Sequence, residues 1–66
     1  MEDCFAIFHR KKLLVVLTNI KPSVYPLVST VLDWYAENYA FYRNELTGYY
    51  IGSIDVADMK YEDFSV

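Results

Sequence analysis

The stretch DCFAIFHRKKLLVVLT, residues 3–18, decides how the rest of the chain must fold. Asp3 to His9 and Leu13 to Thr18 are rich in aromatic and β-branched side chains, which favour strands. Arg10-Lys11-Lys12 between them is a polar break of hairpin-loop length, although no Gly or Asn marks the turn type. The second strand is almost entirely apolar, which is typical of a strand buried on both faces. We therefore expect a β-hairpin within residues 1–21.

A long helix is expected to follow over residues 22–45. Ser23 is a suitable N-cap, and Pro26 then falls in the first turn, where its missing N–H costs nothing. Apolar side chains recur at helical spacing on one face: Val24, Val28, Val31, Tyr35, Tyr39 and Tyr42. Polar residues occupy the opposite face, so the segment has the amphipathic pattern of a helix packed on a sheet.

The remaining sequence predicts a third strand within residues 46–56 and an acidic tail over 57–66. In the strand, Tyr50 and Gly52 belong to the more apolar alternate set, which we expect to face the helix. The tail is compatible with a short fourth strand, a helical turn or a frayed end. The expected fold is a single α+β domain, residues 1–66, of ββαβ order. Its three-stranded, mainly antiparallel sheet has strand one in the middle and one face covered by the helix.

The apolar content exceeds what this fold can bury. Of the 66 residues, 55% are hydrophobic and 18% are aromatic. A domain of this length buries only about 60% of the surface that its unfolded chain exposes. One helix covers one face of the sheet, and nothing in the chain is expected to cover the other face. We therefore predict that apolar side chains there contact another protein or a second copy of the chain.

The charge pattern argues against nucleic acid as a partner, and the apolar pattern argues against a membrane. The net charge is −3, and nucleic-acid binding needs clustered Lys and Arg. The longest apolar run, Leu13 to Leu17, is far shorter than a membrane span. The acidic start, Met1-Glu2-Asp3, is unlike a signal peptide, and the lone cysteine, Cys4, fits a reducing compartment. We expect no direct nucleic-acid binding, no membrane association and a cytoplasmic location.

No catalytic, cofactor or metal site is expected from the sequence. His9 is the only histidine, and no nucleophile lies near it in the sequence. Cys4 follows Glu2 and Asp3, whose charges disfavour a reactive thiolate. The acids of the tail lack the glycine and the spaced oxygen ligands of a calcium loop. The sequence therefore predicts that the protein is not an enzyme and has no cofactor.

Two sets of residues are predicted to bind a partner. Leu27, Trp34 and Phe41 recur every seven residues and form a second apolar stripe beside the first. Because Trp is frequent at binding hot spots, the stripe is a candidate anchor; packing under a loop or the C-terminal tail is an equally good interpretation. The second set is Tyr49 together with residues of the tail: Asp58, Tyr61, Glu62, Asp63 and Phe64.

The function most consistent with these features is a non-enzymatic protein-interaction module, a small acidic regulator or inhibitor that binds and blocks another protein. A short acidic chain with one aromatic helix on a small sheet resembles, in general type, small viral proteins that block host enzymes. The alternative is a homodimer or higher homo-oligomer assembled through the uncovered sheet face. A third hypothesis is a very small enzyme whose site lies between subunits.

Overall fold

A computed structural model of the chain describes residues 3–21, 23 and 27–64. The fold is α+β, with one helix and four strands in one mixed sheet, so the predicted class and the possible fourth strand are confirmed. The elements, in chain order, are β1 (Asp3–His9), β2 (Lys12–Ile20), α1 (Val28–Tyr39), a 3₁₀ turn (Arg43–Glu45), β3 (Leu46–Gly52) and β4 (Tyr61–Asp63).

The strands lie in the order β3-β1-β2-β4. The first strand is antiparallel to both of its neighbours, as predicted. The fourth strand is parallel to β2, with Val16 opposite Tyr61 and Thr18 opposite Asp63. It follows that β2, β3 and β4 all run in one direction and β1 runs in the other.

The turn between β1 and β2 contains two residues, Arg10 and Lys11, with φ values of 51° and 70°. Two successive residues with positive φ are the mark of a type I′ turn, which usually contains Asn or Gly. Arg10 is held in this conformation by Glu45: its backbone N–H donates to the Glu45 carbonyl at 3.1 Å. Its guanidinium also donates to Glu45 Oε2, from Nη2 at 2.7 Å and from Nε at 3.2 Å.

His9 lies on the other side of the same carboxylate. Its Nε2 is 3.1 Å from Glu45 Oε1, and its ring is 5.1 Å from that of Phe41. The hydrogen bonds from Arg10 and then from His9 lower the pKa of Glu45, because they stabilise its charged form. His9 thus ties the end of β1 to the segment that leads into β3.

The hydrophobic core lies between α1 and one face of the sheet. Phe5, Leu17 and Leu46 are among its fully buried members on the strands. Because side chains alternate along a strand, residues two apart share this inner face. The helix contributes Val31, Leu32, Tyr35 and Ala36.

The helix is shorter than the predicted span of 22–45. It begins after Leu27 instead of Ser23, and its N-cap makes no side-chain hydrogen bond. It ends at Ala40, which has a left-handed backbone (φ 58°), and the N–H of Phe41 returns to the Ala36 carbonyl at 3.0 Å. Tyr42 was expected on the sheet-facing side of the helix; this was wrong, because it follows the helix and is 77% exposed.

The third strand is also shorter than its predicted range, and part of the predicted helix is not described. Val24, Tyr25 and Pro26 lie outside the described residues. The third strand was predicted within residues 46–56 but ends at Gly52, where the backbone turns to a φ of 77°. Tyr50 packs against the core, as expected for the helix-facing set.

The outer face of the sheet, opposite α1, is more buried than the sequence predicted. One row of paired residues crosses this face from strand to strand: Tyr49, Ala6, Val16 and Tyr61. Ala6 and Val16 in the centre are 3% and 0% exposed, although the helix lies on the other side. The expectation that nothing in the chain covers this face was therefore wrong at its centre.

Topology identifies the cover as the connection 53–60. It must cross from β3 at one edge of the sheet to β4 at the opposite edge. The connection from β2 to β3, which contains α1, crosses the sheet in the reverse direction. Both connections join parallel strands. Because such crossovers are right-handed, the two must lie on opposite faces. The handedness rule thus places the connection 53–60 on the outer face, in agreement with the burial of Ala6 and Val16.

Lys11→Gly is expected to stabilise the protein by about 0.5–1 kcal/mol. Gly adopts a left-handed backbone without the steric cost that Lys has there, and its larger loss of backbone entropy on folding cancels only part of this gain. Urea unfolding followed by circular dichroism measures the change. Lys12→Gly, one residue later in the extended strand, is the matched control and should destabilise. Equal losses in both variants would contradict the I′ turn.

Gly48→Ala is expected to destabilise by about 1–3 kcal/mol in the same measurement. A Cβ at this position would lie 2.5 Å from the Ala6 carbonyl oxygen and 2.7 Å from the Phe5 ring. The oxygen belongs to a strand backbone and has little room to move. Thr47→Ala, at the exposed neighbouring position, is the control and should change stability much less; an unchanged Gly48→Ala variant would contradict the close approach of β3 to β1.

Candidate binding surfaces

A cleft of about 320 Å³ opens between the C-terminal part of α1 and the edge where β4 joins β2. Its volume is at the low end of the range for ligand sites, roughly 300–1,000 Å³. It is lined by Leu14, Val15, Tyr35, Tyr39, Phe41, Lys60, Tyr61 and Glu62. Three of the predicted partner-binding residues, Phe41, Tyr61 and Glu62, thus meet at one place.

Three aromatic rings form one wall of the cleft. Tyr35 stacks on Tyr39, with ring centroids 4.4 Å apart and an interplanar angle of 24°. On its other side, Tyr35 stacks on Phe41 at 5.8 Å, also at 24°. The left-handed Ala40 makes this possible, because it ends the helix and turns Phe41 back toward Tyr35.

Glu62 supplies the negative charge in the cleft. The Tyr39 hydroxyl donates a hydrogen bond to Glu62 Oε1. This bond raises the pKa of Tyr39, because ionising the phenol would break it; partial burial and the charge of Glu62 act in the same direction. Burial, followed by the same carboxylate charge, raises the pKa of Tyr35. The raised pKa values of both phenols favour their neutral forms beside Glu62.

The predicted stripe of Leu27, Trp34 and Phe41 does not form one surface. Trp34 is half-buried and packs edge-on against Phe64, with ring centroids 4.7 Å apart. Packing under the C-terminal tail was one of the two interpretations, and Trp34 follows it. Leu27 precedes the helix and is exposed, whereas Phe41 follows it and lines the cleft.

Phe64 was predicted to bind a partner and is wrongly placed in that set. It is 5% exposed and belongs to the hydrophobic core. Its backbone N–H donates to the Thr18 carbonyl at 2.8 Å, which extends the pairing of β4 with β2. A partner would have to open the core to reach this ring.

The other predicted residues lie on or beside the outer face. Tyr49 and Tyr61 are the two ends of the row that crosses it, and Asp63 shares the face with Tyr61 because it is two residues further on. Asp58 is exposed in the connection that crosses the face. We call the exposed apolar side chains of this region the outer patch: Leu13, Tyr49, Ile54, Met59 and Tyr61.

Sequence analysis missed Tyr35, Tyr39 and Lys60 as members of a site. The two tyrosines recur at the same helical spacing as the core residues. Their pattern therefore predicted that they face the sheet and did not distinguish them as part of a site. Lys60 offers no signal on its own, since its place in the cleft depends on the parallel pairing of β4 with β2. The alternation of Tyr61 and Glu62 onto opposite faces was readable once β4 was assigned as a strand.

Metal-binding side chains do not converge in the described ranges. No group of three or more His, Cys, Asp or Glu residues among them could hold a metal ion. Cys4 is buried and unpaired. Within these ranges, no helix has the length and apolar character that crossing a membrane requires.

Glu62→Gln is expected to lower the pKa of both Tyr39 and Tyr35, because it removes the negative charge that opposes tyrosinate formation. NMR of the chain with carbon-labelled tyrosine, titrated to alkaline pH, measures each ring separately. Asp63→Asn is the matched control: it removes the same charge from the adjacent residue on the opposite face. If both variants move the two tyrosines equally, Glu62 has no special relation to them.

Comparison with known proteins gives no family for this chain. No protein-family model matches it, and searches of curated proteins and of solved structures find no significant similarity.

Proposed function

We propose that this protein is a non-enzymatic interaction module that binds another protein through the outer patch. One observation carries the proposal. Among the described residues, eight large apolar side chains are exposed, and five of them belong to the outer face or to the connection 53–60: Leu13, Tyr49, Ile54, Met59 and Tyr61. Exposed apolar side chains that gather on one face mark protein interfaces.

The acids around the outer patch suit a partner with basic residues. Asp55, Asp58 and Asp63 are exposed in or beside the same connection and strand. An apolar centre with a charged rim is the usual arrangement of a protein interface, and the rim charges steer the partner and fix its orientation. Because the rim is acidic, the protein would bind a basic surface of its partner and block it. That block is the proposed regulatory effect.

The buried, unpaired Cys4 is compatible with a reducing compartment, and we propose the cytoplasm as the place where the partner is met. A second copy of the chain is the alternative occupant of the outer patch, because two such patches would bury one another about a twofold axis. That would make the protein a homodimer.

The test compares two double variants in which all four altered residues are exposed. Met59→Ser/Tyr61→Ser alters the outer patch, and Leu27→Ser/Tyr42→Ser alters exposed apolar residues elsewhere. Partners captured by crosslinking in the cells that express the protein are identified, purified and bound to each variant. We expect the first variant to weaken binding about tenfold or more, as for hot-spot truncations, and the second to leave it unchanged.

Light scattering on the purified chain over a range of concentrations completes the test. A mass of two chains that the Met59→Ser/Tyr61→Ser variant reduces to one would favour the homodimer over a different partner. A partner that binds both double variants as tightly as the unaltered chain would exclude the outer patch as the interface. Urea unfolding of each variant ensures that a loss of binding is not a loss of fold.

A further inference from the structure

We propose that the cleft between α1 and β4 binds an arginine side chain of the protein partner. This inference rests on the proposed function, and the residues that carry it are Glu62, Tyr39 and Phe41; Tyr61 belongs both to the outer patch and to the lining of the cleft. The occupant is inferred from two features of the cleft: an unpaired carboxylate and a wall of stacked aromatic rings.

The carboxylate of Glu62 has no cationic partner in the described part of the chain. The ion pairs there involve Glu45 and Asp33, with Arg10, His9 and Arg43. Glu62 is half-buried, and its side chain accepts a hydrogen bond from the neutral Tyr39 hydroxyl at Oε1. A partly buried carboxylate with remaining acceptor capacity gains free energy when a cation reaches it.

Tyr39 and Phe41 provide the second contact, whereas Tyr35 is 5% exposed and is covered by these two rings. Aromatic faces attract cations, and a guanidinium can also stack flat against such a ring. The long apolar stem of an arginine suits the other lining residues, Leu14 and Val15. The cleft therefore offers each part of this side chain a surface of matching chemistry.

Arginine fits better than lysine or an apolar side chain. A planar guanidinium can donate to a carboxylate and lie against an aromatic ring at the same time, whereas an ammonium is compact and strongly hydrated. An apolar side chain would leave Glu62 without a cation and would cover its charge. The acids nearby in the chain, Asp58 and Asp63, add to the attraction for a basic segment.

Lys60 lines the same cleft and is the local competitor of the ligand. It is exposed and forms no ion pair with Glu62 in the described part of the chain. Its positive charge opposes an incoming guanidinium. Neutralising Lys60 should therefore strengthen arginine binding, whereas neutralising Glu62 should weaken it.

The experiment titrates the nitrogen-labelled full chain with three blocked peptides, N-acetyl-Gly-X-Gly-amide, in which X is arginine, citrulline or leucine, and follows amide signals by NMR. We expect the arginine peptide to shift the signals of residues 60–62 and to bind more tightly than the neutral, similarly shaped citrulline peptide. Glu62→Gln should weaken the arginine peptide about three- to tenfold and leave the citrulline peptide unchanged. Lys60→Gln should strengthen the arginine peptide, and Asp63→Asn is the control for general loss of negative charge.

Several results would overturn the inference. Equal binding of the arginine and citrulline peptides would remove the role of charge, and tighter binding of the leucine peptide would make the cleft an apolar site. Equal weakening by Glu62→Gln and Asp63→Asn would indicate only general attraction to an acidic surface. No shift of residues 60–62 at the highest attainable peptide concentration would mean that the cleft does not take this side chain. Loss of partner binding in an Ile54→Ser/Met59→Ser variant, which alters the outer patch outside the cleft lining, would still support the proposed function in each case.

Discussion

The interior strand β1 must be covered on both faces, and the described part of the chain provides one α-helix for this. β1 is hydrogen-bonded along both edges, and its side chains are buried on alternate sides, Phe5 and Ile7 toward the helix and Cys4 and Ala6 away from it. The helix covers one face of β1. The connection 53–60 can cover the other face because it must cross the sheet from β3 to β4, which lies at the opposite edge. The position of β4 therefore determines which apolar groups are shielded, and it creates the cleft beside α1.

The fold class and the place of each strand were largely predictable, because they depend on local pattern. The apolar run of β2, the aromatic and β-branched residues of β1 and the polar break between them indicated a hairpin. A crossover that leaves β3 parallel to β2, together with antiparallel pairing of neighbours, placed β1 between them. The type of the hairpin turn was not predicted, because Arg10 and Lys11 rarely adopt a left-handed backbone. The Arg10–Glu45 contact, between residues far apart in sequence, compensates for that preference.

The helix ends were mispredicted for a related reason. Ala40 has the highest intrinsic helix propensity, yet it ends the helix in a left-handed conformation. Phe41 then packs on Tyr35 and against His9, and these contacts outweigh the local preference. The cleft depends on the same left-handed turn at Ala40. Because the sequence pattern indicated a continuous helix through this residue, the cleft could not be predicted from it. Tyr61 and Glu62 were found because acidic and aromatic residues are adjacent there, a signal that survives without the fold.

The two edges of the sheet differ in a way that limits how copies of the chain can associate through their backbones. β3 at one edge, Leu46–Gly52, is seven residues long and carries no charge. Natural sheets usually protect such an edge with lysine, proline or a bulge, since open strands promote fibril growth. β4 at the other edge has only three residues, and Glu62 and Asp63 are two of them. Continued growth of a fibril requires two usable edges in every copy, whereas the described sheet has one long, uncharged edge strand, so pairing through β3 would join no more than two molecules.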